Sequence, residues 1–169
     1  MVRSVSCTTR KPRGPEVDGK DYHFVAREEF ARRLARGDFL EHAVVHGHWY
    51  GTLRRTVEQA LRKRRSVLLV IDVQGAAQIR ERARRLPAGN AIRRGWVDLF
   101  VMPPGLGVLR ERLRRRGEDT EATIQRRLRN ARREMRRAKE FKYAIVNDNL
   151  DVATAELEMI LKHESQAKA

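Results

Sequence analysis

Arg10 and Arg13 stand three residues apart, with Pro12 between them, in the run SVSCTTRKPR that spans residues 4–13. Two guanidinium forks on a segment stiffened by proline suit a phosphate, because a fork can donate two parallel N–H bonds to an oxyanion. A second set lies in FLEHAVVHGHWYGT, residues 39–52. Glu41 there follows a hydrophobic pair, and Tyr50 and Thr52 put a phenol and a hydroxyl on either side of Gly51. Asp72 closes the apolar run SVLLVID, residues 66–72. Ligands of open parallel sheets bind beyond the carboxyl ends of the strands, so an Asp at that edge is a candidate for recognition.

One motif points elsewhere. Gly14 to Lys20 reads GPEVDGK and matches G-x-x-x-x-G-K, the phosphate loop of nucleotide triphosphatases. Such a loop needs a buried strand before it, a Ser or Thr after the Lys, and an apolar helix behind. Here TTRKPR precedes Gly14, Asp21 follows Lys20, and the next residues, DYHFVA, alternate like a strand. Pro15 lacks an N–H, and Glu16 and Asp18 carry the wrong charge for wrapping phosphate. The stretch is expected to be a turn-rich hairpin loop.

Strands must alternate with helices to position these groups. The run 66–72 is continuous and apolar, as in a strand covered on both faces of a parallel sheet. DLFVM at 98–102, stopped by Pro103-Pro104, and YAIV at 143–146 read the same way. Helical spacing covers 27–36, 53–64, 76–85, 105–116, 121–141 and 151–163, with breaks at Gly37 and Gly117. The pattern predicts an α/β fold with a parallel sheet. Residues 86–96, LPAGNAIRRGW, read as an exposed basic loop.

The 169 residues suffice for one domain, and no run of 18 apolar residues argues for a membrane span. The start, MVRSVSCTTR, lacks the apolar core of a secretory signal, and Cys7 is the sole cysteine; a cytoplasmic setting is expected. Net charge is +15, and 30 of the 37 basic residues are Arg. Arg is recruited for phosphate, but it also fills solvated faces in chains from GC-rich genomes. With 6% aromatic residues and no reader motif, a nucleic-acid partner is disfavoured.

Taken together, these blocks resemble the guanylate kinase family over nearly the whole chain. SVSCTTRKPR with GPEVDGKDYHF is similar to the family's GMP-phosphate loop. EEF…GDFLEHAVVHGHWYGT resembles its GMP-binding subdomain, and VLLVIDVQGA its central strand and turn. LRERLRRRGEDTEATIQRRL is similar to its lid, and AIVNDNLD to its late strand. The resemblance implies a nucleoside monophosphate kinase-like parallel-sheet core with a small mixed β GMP-binding subdomain and a helical lid. It implies one domain over 1–169: GMP-binding region 4–52, core 53–110 and 140–169, lid 111–139.

The implied function is ATP-dependent phosphorylation of GMP to GDP, with a non-catalytic module that binds GMP or a phosphorylated partner as the alternative. The implied roles are residue-specific. Arg10, Arg13, Tyr22 and Tyr50 hold the GMP phosphate. Ser6, Glu41, Thr52 and Asp72 read guanine, with Glu41 accepting from its donor edge. Arg112, Arg116 and Arg127 close on the ATP phosphates, and Asn147 lies near the ATP base or the closing turn. The expected substrates are GMP and ATP, with Mg²⁺ accompanying ATP; no metal ligand set is expected in this chain.

Three departures accompany the resemblance. The family opens with a strand, a GPSGxGKST loop and a helix, and only Met1-Val2-Arg3 precede Ser4; the chain is expected to be N-terminally truncated and to lack that P-loop. Val70 stands where the family usually carries an acidic residue. The stretch from Gly75 to Phe100 is longer than the family's, which the basic 86–96 segment accounts for.

Overall fold

The computed structural model describes residues 1–166, and its contacts divide between residues 1–94 and residues from 95 onward. The first unit holds β1 (Val2–Arg3), β2 (Cys7–Thr8), β3 (His23–Phe24), α1 (Arg27–Ala35), β4 (Phe39–Val45), β5 (His48–Leu53), α2 (Arg54–Arg62), β6 (Val67–Leu68) and α3 (Val73–Arg85). Helix α4 (Ala91–Gly95) stands at the division.

Four strands form a mixed sheet in the order β3-β2-β5-β4, with β2 parallel to β3 and the other pairs antiparallel. This is the small mixed β subdomain that the resemblance implies. The β4–β5 hairpin turns on His46-Gly47, both at positive φ (51° and 86°). A two-residue turn of that hand matches the right-handed twist of its strands. A bulge inserts Leu40 between the pairs Phe39–Leu53 and Glu41–Thr52, and all of Phe39, Leu40 and Glu41 are buried.

Helix α1 covers this sheet. Phe30 stacks on Phe39 with ring centroids 4.4 Å apart, and Trp49 lies 5.7 Å from Phe30. Cys7 joins this core, and Val25, Leu34 and Leu53 flank it. The core presses on the backbone of β5: a Cβ at Gly51 would lie 2.8 Å from Cδ1 of Phe39. Gly51 therefore serves packing, and its neighbours Tyr50 and Thr52 carry the chemistry.

The run 66–72 departs from expectation. Only Val67 and Leu68 pair, in parallel with the two-residue β1. A ladder is no longer than its partner, so the rest of the run is not strand. Leu68 is 40% exposed and Val70 74% exposed, which corrects the reading of a strand buried on both faces. The 86–96 segment is also corrected, since it contains α4, started by Asn90 Oδ1 accepting from Ile92 N at 2.9 Å. None of the residues of α4 is buried.

The second unit holds β7 (Leu99–Met102), α5 (Leu106–Arg116), α6 (Glu121–Met135), a 3-10 turn (Ala138–Glu140), β8 (Tyr143–Val146) and α7 (Leu150–Gln166). β7 and β8 pair in parallel over four residues, Leu99 with Tyr143 through Met102 with Val146. α5 stops at Gly117, which takes φ 72°, and α6 starts on Thr120, whose hydroxyl accepts from Thr123 N. Leu113, Ile124 and Leu128 close the core of this helix pair against Leu106 and Leu109. α6 ends at Met135, so the expected helix to 141 is corrected: the 3-10 turn takes over, with Arg137 forked on Glu140. Helix α7 is fixed to β8 through buried Glu164, which accepts from Lys142 Nζ and Tyr143 Oη at 2.6 Å each.

Candidate functional site

Two groups of side chains meet on the mixed sheet of the first unit. The first is built on the β4–β5 pairing, which sets Glu41 directly across from Thr52. Glu41 Oε1 accepts from both Thr52 N (3.0 Å) and Thr52 Oγ1 (2.6 Å), and Ser6 Oγ lies 3.4 Å from Thr52 Oγ1. Glu41 is 4% exposed and Thr52 is fully buried. Burial raises the Glu41 pKa above the usual carboxylate range; the Thr52 bonds oppose that shift and the nearby Asp72 adds to it.

The second oxygen, Oε2, lies over α3. A Cβ at Gly75 would come within 2.5 Å of it, so Gly75 makes the room that the carboxylate occupies. Asp72 caps α3: its Oδ1 accepts from Gln74 N (3.1 Å) and Gly75 N (2.8 Å), and its Oδ2 from Gln74 Nε2 (2.9 Å). An Asp at an N-cap satisfies two otherwise orphaned donors. Gln78, one turn on, clamps the backbone of His42 through both its N–H and its carbonyl, which fixes α3 to β4 beside Glu41. Among the described residues Oε2 accepts no hydrogen bond. The result is a nearly dry carboxylate with one oxygen satisfied and one left for a donor.

The second group surrounds Arg10, which is 6% exposed. Its Nε donates to Tyr50 Oη at 3.2 Å; Nη1 donates to Lys11 O at 2.7 Å and Glu16 Oε2 at 2.8 Å; Nη2 donates to Glu16 Oε1 at 2.7 Å. Its guanidinium carbon also lies 5.5 Å from the Tyr22 ring and 5.8 Å from the Phe24 ring, and the Tyr22 and Tyr50 rings meet edge-on at 5.8 Å. The Arg10 fork holds the Glu16 carboxyl down at a pKa of about 2, and Glu16 in turn raises the Arg10 pKa. Arg13 follows in the same loop. Its N–H donates to Glu16 Oε2 at 2.7 Å, and its guanidinium has no partner among the described residues.

The GPEVDGKD stretch is closed on itself. Glu16 N donates to Arg13 O, Val17 N to Asp21 Oδ2, Gly19 N to Tyr22 O, and Lys20 N and Asp21 N to Val17 O. Asp18 Oδ1 accepts from Phe24 N. Backbone donors spent on their own loop cannot cradle phosphate, so the triphosphatase match is structural coincidence; the stretch is turn-rich as expected, but it joins the parallel strands β2 and β3, which corrects the reading of a hairpin.

In the second unit, Arg116 and Arg127 share one carboxylate. Asp119 Oδ2 lies 3.0 Å from Arg116 Nη2 and 3.2 Å from Arg127 Nε, and its side chain is 8% exposed. Arg112 is engaged separately, donating to Asn147 O at 2.7 Å and Asp148 O at 2.8 Å in the turn after β8. Asn147 thus belongs to the closing turn.

Comparison with known proteins decides the family. The guanylate kinase family model matches residues 1–164. The chain belongs to the guanylate kinase family. It is 44% identical over 164 residues to the guanylate kinase of Thermotoga maritima, covering 97% of this chain and 74% of that protein. It is 46% identical over 159 residues to the guanylate kinase of Thiobacillus denitrificans, covering 94% and 71%. The crystal structure of guanylate kinase from Anaplasma phagocytophilum superposes with a TM-score of 0.77 at 38% identity, over 96% of this chain and 76% of that one.

Within this guanylate kinase family chain, the sequence-derived candidates fall into clusters. Ser6, Thr52 and Glu41 form one hydrogen-bonded chain, with Asp72 joined to it through Gly75. Arg10, Tyr50, Tyr22 and Arg13 form the second. Arg116 and Arg127 come together, and Arg112 does not share their carboxylate. Sequence reasoning missed Glu16, Gly75, Gln78 and Asp119. Glu16 could have been found as the third member of a spacing of three, Arg10-Arg13-Glu16, around a Gly-Pro turn. Gly75 and Gln78 carry no local pattern, since their partners lie 34 and 36 residues away.

Proposed function

We propose that this chain performs the acceptor side of guanylate kinase chemistry, in which GMP takes the terminal phosphoryl group of ATP and becomes GDP. The observation that carries the reading is the buried Glu41 carboxylate with one oxygen satisfied by Thr52 and the other unpartnered among the described residues. The Watson–Crick edge of guanine presents an N–H and an exocyclic amine, and adenine presents an acceptor at the corresponding ring nitrogen. A buried acceptor that hydrogen-bonds the correct base discriminates strongly, because the wrong base leaves it unpaired. Ser6 and Thr52 orient that carboxylate, and Asp72 sets the end of α3 beside it. Arg10, Arg13, Tyr22 and Tyr50 receive the phosphate, where cations and phenol hydroxyls suit a dianion.

Arg112, Arg116 and Arg127 neutralise the phosphates of the ATP donor. Phosphoryl transfer is driven mainly by positioning and charge stabilisation, so arginines on a rigid helix pair are suited to the task. Mg²⁺ accompanies ATP in such reactions, held largely by phosphate oxygens and water. Among the described residues no group of three or more His, Cys, Asp or Glu could hold a metal ion. No helix among the described residues is long and apolar enough to cross a membrane. With Cys7 as the single thiol, a reducing cytoplasm is the proposed setting.

Titration calorimetry tests the acceptor reading. GMP is expected to bind this chain and AMP not to bind. Equal binding of both would remove the guanine assignment. Binding of a phosphopeptide with no binding of GMP would favour a non-catalytic module.

A further inference from the structure

Arg10 cannot offer its fork to a phosphate as it stands. A guanidinium has five N–H groups. Tyr50 Oη, Lys11 O and the two Glu16 oxygens take four of them, leaving one on Nη2. Glu16 is itself fixed, because its Oε2 also accepts from Arg13 N and its own N–H donates to Arg13 O. Arg10 is only 6% exposed, whereas the Glu16 side chain is 24% exposed. A guanidinium this deep requires a counter-charge or it is driven out toward water.

We propose that Glu16 is a positioning residue for GMP binding: it is the resident counter-ion that holds Arg10 in place, so that the phosphate is met by one Arg10 Nη2–H, the Tyr50 hydroxyl and the Arg13 fork. This rests on the GMP reading above. The arrangement has a physical rationale. Four committed N–H groups fix the direction of the fifth before ligand arrives, which removes the ordering cost at binding. Because Arg10 Nε–H already donates to Tyr50 Oη, the Tyr50 proton is directed away from Arg10 and is available to the ligand. Glu16 also trims the local charge from two cations to a net single positive charge, so Arg13 supplies the attraction and Arg10 the geometry. The same contact admits the opposite role, in which Glu16 is an anion that the phosphate must displace. The two roles differ in the sign of one measurement.

The experiment is GMP binding by calorimetry and guanosine binding by NMR titration, on the full chain and on Glu16→Gln, Arg10→Lys and the double variant, each checked by circular dichroism. Positioning predicts that Glu16→Gln weakens GMP by about ten- to a hundredfold, the scale of a lost charged hydrogen bond. Guanosine, which lacks the phosphate, is expected to change by less than about twofold, and the Glu16→Gln effect is expected to vanish in the Arg10→Lys background, since it acts through Arg10. Tighter GMP binding by Glu16→Gln would show competition and overturn the proposal. Equal weakening of GMP and guanosine, or an undiminished effect with Lys at position 10, would show a merely structural role and also overturn it. If the unaltered chain binds no GMP, the acceptor reading itself fails, and the proposal falls with it.

Discussion

Replacing Glu41 with Gln separates recognition from folding. In the native chain Glu41 Oε1 accepts from Thr52 N and Thr52 Oγ1, at 3.0 and 2.6 Å. An amide in the same place must keep its carbonyl oxygen toward those two donors. Its NH₂ then occupies the Oε2 position and presents donors to the donor edge of guanine. Two charge-assisted bonds are lost at about 2 kcal/mol each, or about 4 kcal/mol together, which is about three decades in affinity. The fold is expected to survive, because the Thr52 bonds persist and the amide has no charge to desolvate. Glu41 has a raised pKa in the folded state, so the folded chain binds its proton more tightly than the unfolded chain does. That penalty is largest above the raised pKa and is relieved as pH falls through it toward the ordinary carboxylate value. Glu41→Gln is therefore expected to melt no lower than the native chain at pH 8. Calorimetry with GMP and a thermal melt check both halves. A loss of GMP affinity under about tenfold, with a folded variant, would refute the reasoning that Oε2 is the guanine acceptor.

Three further outcomes follow from the same geometry. GMP affinity is expected to fall as pH drops through the raised Glu41 pKa; guanosine, without a titrating phosphate, isolates that component, and Glu41→Gln should abolish it. Gly75→Ala gives α3 about 1 kcal/mol of helix propensity but drives a Cβ into Glu41 Oε2, so GMP binding is expected to weaken at least tenfold while the melting temperature changes little. Phe30→Ala empties the 1%-exposed centre of the stack on Phe39, and denaturant unfolding should show a loss of about 3–5 kcal/mol.

The family resemblance, most element types and most of the candidate residues were legible in the sequence, because those depend on local order. Periodicity placed α1, α5 and β8, and the Gly117 break, within a residue or so of the structure. Chemistry at Arg10, Glu41 and Tyr50 was visible as residue type next to Pro, Gly or an apolar pair. The failure of the GPEVDGK match was visible too, since Pro15 and the acidic residues contradict a phosphate cradle; the internal hydrogen bonds supplied the mechanism.

Tertiary structure decided what each group is free to do. Apolarity along 66–72 could not reveal that β6 pairs over only two residues, because a ladder is set by its partner's length. Asp72, expected at the guanine, also caps α3, accepting two hydrogen bonds at Oδ1 and one at Oδ2 from Gln74 and Gly75. The space for Glu41 comes from Gly75, far away in sequence, and the Arg10 fork, legible as a phosphate grip, already holds Glu16. Residue type states which bonds a side chain can make; only packing of distant segments states which of them are already made.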